Sequence, residues 1–369
     1  MMSERIYLAS PHMGGSERRY VDLAFDTNWI APLGANVTGF EQDLQQYLGA
    51  GYVTALSAGT AALHLAVRLA GVQRGDRVFC QSLTFSASAN PIVYEGGEPV
   101  FLDSEPDTWN LDPETIEAAI ARFGVPKALI AVHLYGLPGK LDAIRSLCDA
   151  HGITLIEDAA EALGSVYHGQ KCGTFGHYGV LSFNGNKIIT TGAGGAVVSN
   201  HPDWAEHAKH LSTQAKADVL QFLHDEVGYN YRMTNVQACL GLAQLERLED
   251  FIAHKKALYD RYVAALDGVK GLRILPFREE ECRSNHWFFS LYLEDSGLDR
   301  DTVIEKLQAQ QIQTRPVWAL IHEQADYPRN EAYGLDKALA YRKYIVNLPC
   351  STNLSFEDCD RVIEAVLGL

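Results

Sequence analysis

The sequence predicts an α/β fold: a large domain on a mixed, mostly parallel sheet, followed by a smaller α+β C-terminal domain. Three observations lead there. From residue 52 to about residue 200, short apolar runs alternate with helical patterns. A long helical pattern follows, from about 235 to 265. Beyond it, short runs and helices mix without strict alternation. The length of 369 residues suits two domains in close contact better than one core. The large domain, with the N-terminal segment, is expected over 1–250 and the small one over 251–369.

In chain order, "YVTAL" leads into "TAALHLAVRLAG", "RVFCQS" into "SASANPIVYEGG", and "PVFLD" into "PETIEAAIARFG". Then "ALIAVHLYG" precedes "KLDAIRSLCDAHG", and "ITLIEDAAEALGS" follows. Short runs rich in Val, Ile and Leu, separated by helices, are βαβ units. Ligands on such sheets sit beyond the carboxyl ends of the strands. Ser57, Thr84, Asp103, His133, Asp158 and Lys187 lie at those ends and invite a functional reading. The pattern "NVQACLGLAQLERLEDFIAHKKALYDRYVAAL" has apolar positions at spacings of three and four, and reads as one helix long enough to bridge two domains. "HWFFSLYLE", "TVIEKLQAQ", "QTRPVW" and a final helix, "FEDCDRVIEAVLG", form the smaller domain.

Composition closes off several classes. Lys and Arg number 31 against 46 Asp and Glu, a net charge of −15, which disfavours a nucleic-acid surface. It leaves room for a phosphorylated small molecule in a locally positive site. No apolar run has the roughly 18 residues of a membrane helix, and the N-terminus has no secretory h-region. The seven cysteines are scattered, with no CxxC pair, so neither a disulfide framework nor a zinc site is suggested and a cytoplasmic setting is expected. "HAKH" (His207, His210) has spacing that could hold a metal, but reads better as a solvated helix face; no metal is expected.

The chemistry gathers around "SFNGNKIITTGAGGAVV", where Lys187 has no acidic neighbour in sequence. The stretch is not a Walker loop, since Leu181 and Ile188 stand where Gly and Ser or Thr are needed. Val197 likewise breaks a dinucleotide fingerprint. A lysine without a carboxylate can be a nucleophile if burial and nearby cations keep its amine partly neutral. Asp158, in "TLIEDAAEALGS", could bind a protonated pyridine nitrogen and preserve it as an electron sink. Read alone, it could also cap a helix or bind a metal. Ser57, Gly59 and Thr60, in "LSAGTAALHLA", stand where a strand turns into a helix, a place that favours phosphate or an ordinary cap. Phe85, in "SLTFSASANP", could stack on a flat heterocycle or belong to the core. Taken together they describe a pyridoxal 5′-phosphate site, with Lys187 as its Schiff-base lysine.

These residues carry a resemblance. The stretches "SPHMGG", "NWIAPLG", "SAGTAALHLA", "EDAAEALGS", "SFNGNKIITTGAGGAVV", "GYNYRMTNVQACLGLAQL" and "TRPVW" resemble the DegT/StrS nucleotide-sugar aminotransferases over nearly the whole chain. Within that family, "PHMGG", "IAPLG" and "NGNKIITT" resemble the UDP-4-keto-6-deoxy-GlcNAc C4 aminotransferases of the bacillosamine pathway (PglE-type). The resemblance implies the aspartate-aminotransferase fold (fold type I) and transfer of the amino group of L-glutamate to a UDP-linked keto sugar. It implies that Lys187 is acid and base, Asp158 binds the ring nitrogen, Glu161 sits near the cofactor's O3′ and Phe85 stacks on the ring. Gly59, Thr60 and Ser182 would hold the phosphate, with Asn235 arriving from the partner of a homodimer. For the sugar nucleotide it implies Asn28, Trp29, Ile30, Ala31, Asn184, Tyr229, Asn230, Arg232, Arg315, Pro316, Val317, Trp318 and His322.

Two physical points accompany the resemblance. Arg232 and Arg315 could meet a diphosphate bidentately. Trp29 or Trp318 could stack on uracil or sugar, although Trp318 also suits a core and Arg232 a salt bridge. Two features set the chain apart. Many family members carry Gln where this chain has Glu161. A branch that replaces the lysine with His becomes a dehydratase, and Lys187 disfavours that branch. Rival readings are the same chemistry on a GDP- or dTDP-linked or 3-keto sugar, and a non-catalytic sensor.

Overall fold

The computed structural model describes residues 4–49, 51–277, 280–325, 327 and 331–369. Its strands of interest, in chain order, are β1 (Tyr52–Leu56), β2 (Arg77–Gln81), β3 (Glu98–Leu102), β4 (Ala128–Val132), β5 (Thr154–Asp158), β6 (Tyr178–Ser182) and β7 (Gly195–Ser199). They continue with β8 (Arg273–Ile274), β9 (Phe289–Tyr292), β10 (Arg315–Pro316), β11 (Glu331–Tyr333) and β12 (Ile345–Leu348). The large sheet has the order β1-β7-β6-β5-β4-β2-β3-β11. Only β7 runs against its neighbours; the remaining pairs are parallel. The expected mixed, mostly parallel sheet is present. β4, β6 and β7 are buried along their whole length, which is why they read as continuous apolar runs rather than alternating ones.

A second, antiparallel sheet has the order β8-β9-β12-β10. The division of the chain between the sheets is not a simple cut near 250. β11 comes from the C-terminal third, yet it completes an edge of the large sheet beside β3. At the other end, Ile6 and Leu8 join the core beneath the small sheet, and Cys350 N donates to Leu8 O.

The helical stretch expected to be single is two helices, α1 (Asn235–Leu245) and α2 (Leu248–Leu266). The first begins at a capping box, Thr234 with Gln237. The break falls at Arg247, whose guanidinium reaches Asp250 and the carbonyl of Gly14. Glu249 and Asp250 then occupy the first turn of α2, where carboxylates favour a new helix start. Along α2, Phe251 and Ile252 enter a core of the large sheet, while Leu258, Tyr259, Tyr262 and Leu266 enter the small-sheet core. The bridging role thus belongs to α2. Among the described residues, no helix is long and apolar enough to cross a membrane.

Candidate active site

A cavity of about 660 Å³ lies at the carboxyl ends of β4 and β5, where the small sheet meets the large one. Asp158 ends β5 and Ser182 ends β6. The loop from Ser182 to β7 carries Lys187. The helix that follows β1 begins at Gly59, with Ala58 before it in extended backbone and no side chain capping its N–H groups. A Cβ on Gly59 would lie 2.8 Å from the Ser182 Cβ, so glycine is required for this close approach.

Two carboxylates face the cavity. Asp158 Oδ2 accepts from Ser88 Oγ at 2.7 Å, and Ser88 shares a 2.8 Å hydrogen bond with Thr84. Asp158 Oδ1 accepts from the Ala160 amide at 3.2 Å. Glu161 Oε2 accepts from the Tyr135 amide at 2.8 Å, and its Oε1 lies 3.4 Å from Lys187 Nζ. Tyr135 sits in left-handed backbone at φ 58°, an unusual conformation for a tyrosine; its amide donates to Glu161. Burial pushes the Glu161 carboxyl up to about 7, with Lys187 and the Tyr135 amide opposing that rise. Lys187 Nζ also lies 4.0 Å from the centre of the Trp287 ring.

Gly59, Thr60, Phe85, Asp158, Glu161, Ser182 and Lys187 all line this cavity. So do Asn184 and the run Arg315, Pro316, Val317 and Trp318, which the small sheet brings over the opening. Phe85 is 53% exposed rather than core, and Trp318 lies 5.6 Å from it, ring centre to ring centre.

Other expected residues lie elsewhere in the chain. Asn235 is buried and holds the N-terminal loop, donating to Trp29 O and accepting from the Asn36 amide. Asn28, Trp29, Ile30 and Ala31 form that loop outside the cavity, with Trp29 and Ile30 exposed. Tyr229, Asn230 and Arg232 run beside the end of β1: Ser57 N donates to Tyr231 O, and Arg232 bridges Leu56. Tyr229 donates to Glu95, and Arg232 reaches Asn230 while its Nε is buried without a hydrogen-bond partner. His322 shares a 2.8 Å hydrogen bond with Ser82, outside the cavity, and burial lowers its basicity. His207 and His210 meet Glu226 and Asp225, each at 2.7 Å.

The DegT/DnrJ/EryC1/StrS aminotransferase family profile matches residues 11–367. This chain belongs to that family. EpsN of Bacillus subtilis (strain 168), whose name assigns it to the pyridoxal phosphate-dependent aminotransferases, is 45% identical over all of this chain and 96% of its own. GDP-perosamine synthase of Caulobacter vibrioides is 39% identical over 98% of this chain and 97% of its own. The crystal structure of the aminotransferase TlmJ from Streptoalloteichus hindustanus superposes with a TM-score of 0.92 at 31% identity, over 99% of this chain and 98% of that one. The fold is that of the fold-type I aminotransferases, and the chain is a pyridoxal phosphate-dependent sugar aminotransferase.

The cavity of this family member fits that cofactor. The uncapped helix start at Gly59 and Thr60 suits a phosphate. Each Asp158 oxygen accepts one hydrogen bond from the protein, leaving lone pairs for a protonated ring nitrogen. The Lys187 amine faces the same space.

Nothing in the sequence singles out Ser88, Trp287, Tyr135 or Asn347. Ser88 and Trp287 sit in sequence as ordinary members of the runs "SASANP" and "HWFF". Asn347 lines the cavity from β12 and donates to the Tyr135 hydroxyl at 2.9 Å, a contact across 212 positions that no local pattern encodes.

Proposed function

We propose that this enzyme moves the amino group of L-glutamate to the C4 keto group of a UDP-linked 4-keto-6-deoxy-N-acetylhexosamine, giving a UDP-4-amino-4,6-dideoxy sugar for glycan synthesis. The observation that carries the amino-transfer part is the convergence of Lys187, Asp158 and Glu161 on one cavity with an uncapped helix start. The choice of sugar rests on the "PHMGG", "IAPLG" and "NGNKIITT" wording.

Bound pyridoxal phosphate supplies an electron sink for the carbon that loses its proton. Lys187 holds the cofactor and, once displaced, carries a proton at Nζ between the reacting carbons in each half of a ping-pong exchange, with 2-oxoglutarate leaving after the first. Asp158 keeps the ring nitrogen protonated, oriented by Ser88. Glu161 exchanges a proton near neutral pH beside that amine. Gly59, Thr60 and Ser182 receive the phosphate. Arg315 stands at the rim, exposed, where it can meet a diphosphate.

The working unit in this reading is a homodimer. Val219, Leu220, Phe222 and Val227, in the segment 219–227, are each at least 69% exposed, and Trp29, Ile30 and Leu33 on the N-terminal loop at least 50%, two apolar stretches suited to a partner subunit.

A second reading, a GDP-linked 4-keto sugar, is favoured by the identity to GDP-perosamine synthase. The test is a panel of UDP-, GDP- and dTDP-linked 4-keto-6-deoxy sugars with L-glutamate, following 2-oxoglutarate and product mass. Preference for the UDP sugar is expected. A GDP or dTDP preference in kcat/KM overturns the choice of sugar but not the amino transfer.

A further inference from the structure

We propose that Trp287 is a positioning residue for the Lys187 amine: with Glu161 it forms a berth that holds the ammonium whenever the lysine is not joined to the cofactor. The inference rests on the reading of Lys187 as the cofactor lysine.

The berth has two walls. One is the indole face, 4.0 Å from Nζ, and the other is Glu161 Oε1 at 3.4 Å. The indole is 2% exposed, and a cation over a desolvated aromatic face is held more strongly than one at the surface. It is also fixed in place. Its N–H donates to the carbonyl of Asn186, the residue before the lysine, at 2.7 Å. The wall is therefore tied to the loop whose lysine it receives.

A single residue joins the two walls. Asn285 donates to the Glu161 carbonyl at 2.7 Å and to the Leu163 carbonyl at 2.9 Å, and its Oδ1 accepts from the Trp287 amide at 3.0 Å. Gly136, at φ 85°, leaves room for that Oδ1, where a Cβ would collide with it. The carboxylate and the indole are thus set at one separation by a buried frame drawn from distant parts of the chain.

The reaction explains why such a frame matters. Each half-reaction frees Lys187 and then needs its Nζ back at the reacting carbon. A free lysine has a flexible four-carbon stem, and proton transfer demands hydrogen-bond reach. Parking Nζ between two fixed walls keeps it within the cavity.

The test uses the full chain in its amine-loaded form, prepared with L-glutamate and labelled by reductive ¹³C-methylation of lysines. The Lys187 resonance is assigned by its loss in Lys187→Arg. An upfield ring-current displacement is expected in the wild type. It should persist in Trp287→Phe and vanish in Trp287→Leu. Alongside, Trp287→Leu should lower kcat about tenfold with KM for L-glutamate unchanged, and Trp287→Phe should recover most of it.

A Lys187 resonance without displacement in the wild type overturns the proposal and needs no variant to fold. An unchanged kcat in Trp287→Leu, or a loss carried by KM, also overturns it. Failure of borohydride to fix pyridoxal phosphate on wild-type Lys187 instead overturns the cofactor-lysine reading itself, whatever the indole does.

Discussion

Two lysines of this enzyme are enclosed, each against an aromatic ring, and their surroundings differ in one decisive respect. Lys187 lies in a cavity with its side chain 12% exposed, 4.0 Å from the Trp287 ring and beside a carboxylate. Lys255, on α2, is 2% exposed in the closed core of the small sheet, 5.2 Å from the Phe289 ring. Its Nζ donates to the Cys350 carbonyl, and among the described residues no carboxylate pairs with it. Burial depresses the Lys255 amine below its ordinary range. A buried amine becomes a reagent through what it can reach, namely a substrate-sized space and a proton-exchanging partner. The Lys255 amine, bonded to a backbone carbonyl, instead ties α2 to the segment after β12.

The largest test of this contrast exchanges the two lysines in turn. Lys187→Ala should lose turnover by about 10³-fold or more, and borohydride should fix no cofactor. Lys255→Ala, where folded, should still capture pyridoxal phosphate covalently. Loss of capture by folded Lys255→Ala would show that Lys255, not Lys187 alone, is needed for the covalent link.

Next is the proton-exchanging partner. The Glu161 carboxyl, pushed up to about 7, is neutral below that pH and becomes a carboxylate beside Lys187 above it. Wild-type turnover should therefore change through neutral pH, by an amount on the order of tenfold. Glu161→Gln should flatten that step in the pH profile and in the cofactor's absorbance. A step of the same size at the same pH in the variant would assign it to another group.

The smallest effect belongs to Lys255. Its folded-state affinity for protons is depressed, so near its titration the unfolded chain binds more protons than the folded one. Stability then rises as pH rises toward the ordinary lysine range, and falls as pH drops through the depressed value. Lys255→Met should remove that slope in urea titrations run from neutral to alkaline pH. A retained slope would place the titrating group elsewhere.

The sequence marks these residues unequally. Lys187 stands out because Ser, Asn, Gly and Thr surround it with no acidic residue near it in sequence, although the fold brings Glu161 beside it. Asp158 stood out because a run of apolar residues ended on a carboxylate. Lys255 looked like any polar position in "FIAHKKALYD", since helical spacing says which face is buried, not whether a charge lies within it. Trp287 read as part of an apolar strand run, because nothing local shows that its N–H would reach Asn186, 101 positions earlier.

The βαβ order, the mostly parallel sheet, the helical character of 235–265 and the positions where reactive side chains leave the strands can be read from the sequence. These follow from periodicities of two to four residues, which local backbone geometry sets. Only the tertiary structure decided that β11 returns to the large sheet and that Ser88 orients Asp158. It alone placed Glu161 and Trp287 on either side of one lysine through Asn285. Those contacts join residues far apart in the chain, and they form only when separate elements pack against one another and a buried polar group must find its partner there.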